Sequence, residues 1–493
     1  MNRILGIRPG LLITLLTFVA AILRFLWLGS SSLWIDELFS VSWADMPLAD
    51  LLGSGARIET NPPGYYVLLH LWMMVFGKAE IAVRALSALA SSATVPVVYA
   101  LGVGLFEKRT AFIAALLTVI NPVAISYAQE ARSYALLTLT DSVGLLAIVG
   151  CFRERAKGNG RALAWHGLFI VSMVAACWLH YTSLLFVAGC FVAVSYLLLQ
   201  HRPFQPREVA AWLASWLIIT LAVSWLVWLA ALLFGSNNLV WVPPLSWESV
   251  LSFFLDLTVP APQKPEIMPF LLGISALMVL IVAMPGCQRL ALRRLGTGVL
   301  LIPPAVYCAL LVGISAIRPM LLSRTAVWLI IPLCLLLGRG VMASPSRWRP
   351  VAGLIPILTF LACSLQSFRS SEAESWREAS RLVGMDPRCQ GPLLIGGFNA
   401  LGFHYYPLPT GRAAYVFLPD PRRRNSVEFR LSTQLMHLPE LPMNATPEFI
   451  RQHRGTSVVY RDEYEDIIAN QLKAVSPPPV LRKNLGGLEI VCF

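Results

Sequence analysis

Apolar residues in this chain run in blocks of about 17–25, a length that crosses a bilayer as a helix. Blocks of this kind lie at residues 11–29, 83–105, 110–126, 134–152, 164–180, 182–200, 209–234, 268–286, 297–317, 325–342 and 351–368. The pattern predicts a polytopic α-helical membrane protein with about 11 transmembrane helices. A tight polar turn at His180-Tyr181 joins two of them. One further apolar stretch, residues 63–77, is barely long enough to cross, and counting it would invert the orientation of everything after it.

Basic residues settle that choice. With 63–77 left out, one face receives Arg3, Arg8, Lys108, Arg109, Arg153, Arg155, Lys157, Arg161, Arg202, Arg207, Arg289, Arg293, Arg294, Arg339, Arg347 and Arg349. The other face holds only Arg57, Lys78, Arg84, Arg132, Lys264, Arg318 and Arg324. Cytoplasmic loops carry the excess of Lys and Arg, so the first face is cytoplasmic. Residues 63–77 then lie in the outer interface, where Tyr65, Tyr66 and Trp72 suit the headgroup zone.

The pattern changes after Phe368, where charge rises, apolar runs shorten and proline becomes frequent. Residues 372–383 have helical spacing, while 392–395, 457–460 and 488–492 read as strands. Two domains follow: a transmembrane domain, 1–368, with a first outer loop at 30–82, and a small C-terminal α/β domain, 369–493, outside the cytoplasm.

Composition agrees with this division. The 493 residues are 56% hydrophobic and 13% charged, beyond what a soluble globular chain needs. The net charge of +12 sits mostly in short loops, where it sets topology rather than recruiting nucleic acid. The run at 11–29 follows Arg3 and Arg8 as a signal peptide would, but no convincing cleavage site follows it, so an uncleaved first span is expected. Seven cysteines lie in apolar segments without metal-ligand spacing; Cys389 and Cys492 lie in the C-terminal domain.

Candidate chemistry gathers on the outer face. The first span delivers Trp34-Ile35-Asp36-Glu37 to the membrane surface, and Asn61-Pro62-Pro63-Gly64-Tyr65-Tyr66 follows. The next outer loop carries Tyr127-Ala128-Gln129-Glu130-Ala131-Arg132-Ser133-Tyr134, and later come His180, Arg318 and Arg324. Acids alternating with arginines suit a reaction in which a nucleophile is deprotonated and an anionic group leaves. Plainer roles stand beside this one. Asp36 and Glu37 favour a helix N-terminus in any case, and Glu130 with Arg132 makes an ordinary ion pair. Arg324 can snorkel to headgroups, and His180 can serve its turn alone. Asp141, inside a span, is costly unless paired or used.

At these residues the chain resembles a family. Leu33-Trp34-Ile35-Asp36-Glu37, then Asn61 through Trp72, then Tyr127 through Ala135 resemble the bacterial dolichyl-phosphate-mannose protein mannosyltransferase-like group of C-type glycosyltransferases, relatives of the lipid A aminoarabinose transferase. The likeness is strong over residues 10–200 and thins to Arg324 and Trp376-Arg377-Glu378-Ala379 beyond. It implies the C-type glycosyltransferase fold and a polyprenyl-phosphate sugar donor, with transfer outside the cytoplasm of a bacterial inner membrane.

The resemblance also implies Asp36 as the catalytic acid residue, with Glu37 beside it. The family's frequent His before Pro-Pro is Asn61 here. Asp36 would take the proton of an acceptor hydroxyl as it attacks the anomeric carbon with inversion. Arg132 and Arg324, with Arg318 in reserve, would stabilise the leaving lipid phosphate, and Glu130 would orient Arg132 or the sugar. Asn61, Tyr65, Tyr66, Tyr134 and His180 complete the expected substrate-binding set. No metal or cofactor is expected. The acceptor is a lipid, a glycan or a protein. A lipid-linked sugar transporter and a polysaccharide ligase are the rival readings.

Cys389 precedes one expected strand and Cys492 ends another, in a compartment the topology makes oxidising. A disulfide on adjacent strands is expected, against the alternative of two buried thiols.

Overall fold

The computed structural model describes residues 8–155, 161–200, 205–234, 242–258, 294–369, 374–408, 412–418, 437–461, 465–473 and 478–493, with isolated positions between. Among them α1 (Pro9–Phe25), α2 (Ile35–Ala44), α3 (Gly64–Phe76) and α4 (Glu80–Leu105) form the N-terminal part. Next come α5 (Lys108–Ile120), α6 (Pro122–Ala128), α7 (Tyr134–Arg155), α8 (Ala162–Leu179), α9 (Ser183–Gln200) and α10 (Pro206–Leu233). The helical body continues with α11 (Trp247–Thr258), α12 (Ile302–Ile317), α13 (Ile330–Ala343) and α14 (Arg349–Arg369).

Seven helical stretches of the described residues are long and apolar enough to span, and an eighth is reached if the bent pair α5–α6 counts as one. The predicted span at 268–286 lies outside the described residues, apart from isolated helical positions. Helix α3 has 13 residues and shows Leu71, Met74, Val75 and Phe76 on its exposed face, a shape suited to an interface.

The expected single span at 110–126 is instead broken. Helices α5 and α6 meet at about 50°, because Pro122 cannot continue the hydrogen-bond ladder. Asn121 caps the new start by accepting from the Ala124 N–H at 2.9 Å. The carbonyls orphaned at the end of α5 are taken by Arg24, fully buried, which donates to Thr118 O at 3.0 Å and Val119 O at 3.1 Å. Its Nε also donates to Ser91 Oγ at 2.7 Å. Small residues let neighbouring helices close in. A Cβ on Gly102 would stand 2.8 Å from Ala111, and one on Gly338 would stand 2.9 Å from Thr110 O.

The C-terminal part starts with α15 (Trp376–Met385) and builds a five-stranded sheet from β1 (Leu393–Gly396), β2 (Ala414–Phe417), β3 (Ser457–Arg461), β4 (Leu481–Asn484) and β5 (Leu488–Cys492). The strand order is β2-β1-β3-β5-β4. Strand β1 runs parallel to β2 and β3, and β5 pairs antiparallel with β3 and β4. Cys389 and Cys492 are joined, with Cα atoms 5.2 Å apart. They are not on adjacent strands, since β3 lies between. Cys389 ends a 3₁₀ turn before β1, and the bridge passes the first residue of β3, where Ser457 Oγ donates to Cys389 O at 3.2 Å.

One hydrophobic core runs through both parts. It joins Leu33, Leu38 and Tyr66, between α1 and α4, to Trp376, Leu393 and Leu401 beyond residue 369.

Candidate active site

The site grows from the first turn of α2. Trp34 precedes the helix in extended conformation, and Glu37, at its third position, accepts from the Trp34 N–H at 3.2 Å. That reach fixes one carboxylate inward and leaves its neighbour outward. Glu37 is wholly buried against Arg84, with Arg84 Nη2 donating to Oε2 at 2.6 Å and Nε to Oε1 at 2.8 Å. Arg84 spends its other N–H groups on the carbonyls of Leu28, Ser31 and Ser32, each 2.9 Å away. Glu37 Oε1 also accepts from the Ala131 N–H at 2.7 Å. One carboxylate therefore ties together α2, α4 and the loop that carries Glu130 and Arg132. The expectation of Glu37 beside the reaction gives way to a buried hub.

Asp36 points the other way. Its Oδ2 accepts from Arg324 Nη1 at 2.7 Å, and Arg132 Nη2 stands 4.0 Å off. Its side chain is 29% exposed, beside 20% for Arg324 and 11% for Arg132. The pair is thus open to a substrate, in contrast with the sealed Glu37–Arg84 pair. Arg132 is aimed by Nη1 donating to Ser40 Oγ at 3.0 Å and to Asp36 O at 3.2 Å. Its guanidinium also lies over the Tyr134 ring, 5.6 Å from the centroid, and Ser87 Oγ donates to its backbone carbonyl at 3.0 Å. Arg324 arrives on a 3₁₀ segment, Ser323–Leu329, held by Tyr307 OH donating to Thr325 O at 2.9 Å. On its other side Ser323 Oγ donates to Asp256 of α11 at 3.1 Å.

Around this pair the charges are biased by burial. Glu130 Oε2 is cut off from solvent without a hydrogen-bond partner among the described residues. Burial, reinforced by Glu37, pushes the Glu130 carboxyl up to about 8 although Arg132 and Arg324 pull against it. It therefore carries a proton at neutral pH. Burial, then Arg132 and Arg324, push His180 down to about 3. Its Nδ1 is occupied by the Thr182 hydroxyl at 2.8 Å. A neutral ring with that nitrogen engaged offers no cation to a phosphate; its ring stands 6.2 Å from Tyr134.

The remaining predicted residues divide. Asn61 donates its side-chain N–H to Glu59 at 2.8 Å, and Tyr66 OH donates to the same carboxylate oxygen at 3.0 Å. Gly64 is required beneath them, because a Cβ there would stand 2.4 Å from Trp178 O. Tyr65 is buried beside Tyr66, with ring centroids 5.9 Å apart. Arg318 caps α12 and lies over the Phe234 ring at 5.3 Å. Asp36, Arg132, Arg324 and Tyr134 are the residues brought into one contact set, with Glu130 and His180 within electrostatic reach.

Three participants escaped the sequence reading. Arg84 counts in the sequence only as a basic residue of one face, yet it is buried in the second turn of α4, and an arginine within an apolar helix signals a buried acid partner. Asp256 lies on α11, which no apolar block announced. Glu374, which reaches the start of α2, had no local signal.

The chain thus combines a multi-helix membrane body, a carboxylate–arginine site and a small C-terminal α/β sheet domain. Residues 60–237 match the family profile described as Dolichyl-phosphate-mannose-protein mannosyltransferase. Among solved structures the chain is similar to apo ArnT from Cupriavidus metallidurans, with TM-score 0.60, 13% identity and 97% of both chains covered. It is similar to the same protein bound to undecaprenyl phosphate, with TM-score 0.57, 13% identity and 97% of both chains covered. It also resembles the oligosaccharyltransferase AglB from Archaeoglobus fulgidus in complex with an inhibitory peptide and a dolichol-phosphate. There the TM-score is 0.52, with 12% identity over 95% of this chain and 71% of that one. No curated protein sequence matches. The resemblance read from the sequence is thereby shown by profile over residues 60–237 and by fold over nearly the whole chain.

Proposed function

We propose that the chain is an inverting glycosyltransferase that moves a sugar from a polyprenyl-phosphate donor to a hydroxyl of a lipid, glycan or protein acceptor. The reaction takes place on the outer face of a bacterial inner membrane. The observation that carries the reading is Asp36 held between two arginines at a half-open site. The family match and the lipid phosphates named with the similar structures support it.

In this reading the Asp36–Arg324 pair is the resting arrangement. The lipid phosphate draws Arg324 and Arg132 to itself, and Asp36 is left free to accept a proton. The acceptor oxygen attacks the anomeric carbon, and its proton passes to Asp36 Oδ2. The bond from that carbon to the phosphate oxygen breaks on the opposite side, leaving the lipid monophosphate with its charge on the two guanidinium groups. Glu130, protonated, donates a hydrogen bond to the donor rather than repelling it. The sidedness follows from the basic loops, and the C-terminal domain shares the face of the site.

One observation favours transport. Asp141 on α7 is 1% exposed, and neither carboxylate oxygen has a hydrogen-bond partner among the described residues. Intramembrane acids of this kind mark transport pathways. Purified protein in liposomes, given undecaprenyl-phosphate sugars labelled in the sugar, separates the two. Transfer or release of label from the lipid supports the transferase. Label that crosses the bilayer still attached to its lipid, with no cleavage, overturns it.

A further inference from the structure

The start of α2 is capped by a different part of the chain. No side chain of its own N-cap residue bonds there. The Ile35 N–H, first in the helix, is accepted by Glu374 Oε2 at 3.0 Å, across 339 positions of sequence. The Leu33 N–H is accepted by Tyr406 OH at 2.9 Å, and Ser32 Oγ accepts from the Arg377 N–H at 3.1 Å. Tyr406 and Arg377 both bond Glu80 at the start of α4, and Tyr405 OH donates to Lys78 O. Residues 32–35, immediately before Asp36, are thus gripped from the C-terminal domain at three successive points.

Glu374 is itself built for this position. It is 6% exposed, takes the Trp376 indole N–H at 2.8 Å on the same oxygen, and pairs with Arg461 of β3 at 3.2 Å through the other. A buried carboxylate with both oxygens engaged has a single orientation, and the sheet fixes it through Arg461. The backbone it holds is one residue from the Asp36 Cα. Motion there turns the Asp36 carboxylate relative to Arg324, whose segment is held from outside α2 by Tyr307 and Asp256.

We propose that the C-terminal domain positions the catalytic carboxylate, with Glu374 as the positioning residue acting on Asp36 through the Ile35 N–H. The proposal rests on the transferase reading above. Misplacing a reacting group by about an ångström costs about 10²-fold in rate, so the effect belongs in kcat. Both guanidinium groups are retained with their charge, so lipid phosphate affinity is expected to stay.

The test uses full-length protein in nanodiscs, a labelled undecaprenyl-phosphate sugar that the wild type turns over, and undecaprenyl phosphate as the binding probe. Glu374→Ala is expected to lower kcat by about 10–10²-fold, with KM and undecaprenyl phosphate affinity unchanged. It should also speed hydrogen exchange in residues 33–37. Glu374→Gln keeps an acceptor for Ile35 N–H and is expected to restore most of kcat. Tyr406→Phe removes the neighbouring grip and carries the same expectation should Glu374→Ala fail to fold. Wild-type kcat in folded Glu374→Ala or Tyr406→Phe, or a loss of kcat matched by weaker undecaprenyl phosphate binding, would overturn the proposal. A wild type idle on every such donor strikes the transferase reading alone. Exchange then decides the positioning contact: faster exchange at 33–37 supports it, and unchanged exchange overturns it.

Discussion

Two adjacent carboxylates acquire opposite characters through exposure alone. Glu37 is sealed with Arg84, and removing one member of a buried pair leaves the other charged and unpaired. Glu37→Ala is therefore expected to cost about 3–5 kcal/mol of stability, read as a lower thermal midpoint in detergent. Asp36 sits in a partly exposed pair that water still reaches, so Asp36→Asn, which keeps the shape and an acceptor for Arg324, should lower the midpoint much less than Glu37→Ala. Glu130 adds a pH signature. Its carboxyl is raised from 4.5 to about 8, so between those values the folded chain holds a proton that the unfolded chain has released. Its contribution is fully present below the lower value, and stability falls as pH rises through the window. If that proton is used at the donor, turnover also falls above about 8. Glu130→Gln, measured as a pH–rate profile, should flatten that upper limb.

At the scale of elements, what was legible follows from how much of each element's burial is local. Spans are apolar on every face, whether it meets protein or lipid, so length and hydropathy reveal them, as in α4, α7 and α10. Helix α11 was invisible because its 12 residues carry Glu248 and Asp256 and are too short to cross. The break between α5 and α6 was written in Asn121-Pro122, yet an unbroken apolar run masked it. Strands β1, β3 and β5 showed as apolar runs. Strand β4, Leu-Arg-Lys-Asn at the sheet edge, has no such run, whereas the other edge strand, β2, is the apolar Ala-Tyr-Val-Phe and lacked only length. Most of the site was readable because Asp36, Arg132 and Arg324 stand in polar breaks between spans. Their pairing was not, because Arg324 lies 288 positions from Asp36. The 3₁₀ segment bearing Arg324 gives a prediction of its own. Arg324→Lys keeps the charge but loses the planar fork, so undecaprenyl phosphate affinity and turnover should both fall. Arg324→Ala should cost about 10²–10³-fold in kcat. Unchanged values in nanodiscs would return Arg324 to a structural role.

At the scale of the molecule, a boundary at residue 368 is a change of composition and not a break in packing, since one core crosses it. Contacts such as Glu374 to Ile35 depend on the assembled fold, which no local pattern announces. The disulfide belongs to this scale too. Closing a loop of 103 positions should contribute about 4.7 kcal/mol in the chain-entropy model. Reduction should therefore lower the thermal midpoint of the C-terminal part, and Cys389→Ser with Cys492→Ser should reproduce the shift. The central claim, that Asp36 takes the acceptor's proton, is tested most directly by turnover of a labelled undecaprenyl-phosphate sugar by wild type and Asp36→Asn in the same nanodiscs. The account predicts a fall of about 10²–10⁴-fold in kcat, with undecaprenyl phosphate bound no more weakly than before. Equal rates for the two proteins would contradict it.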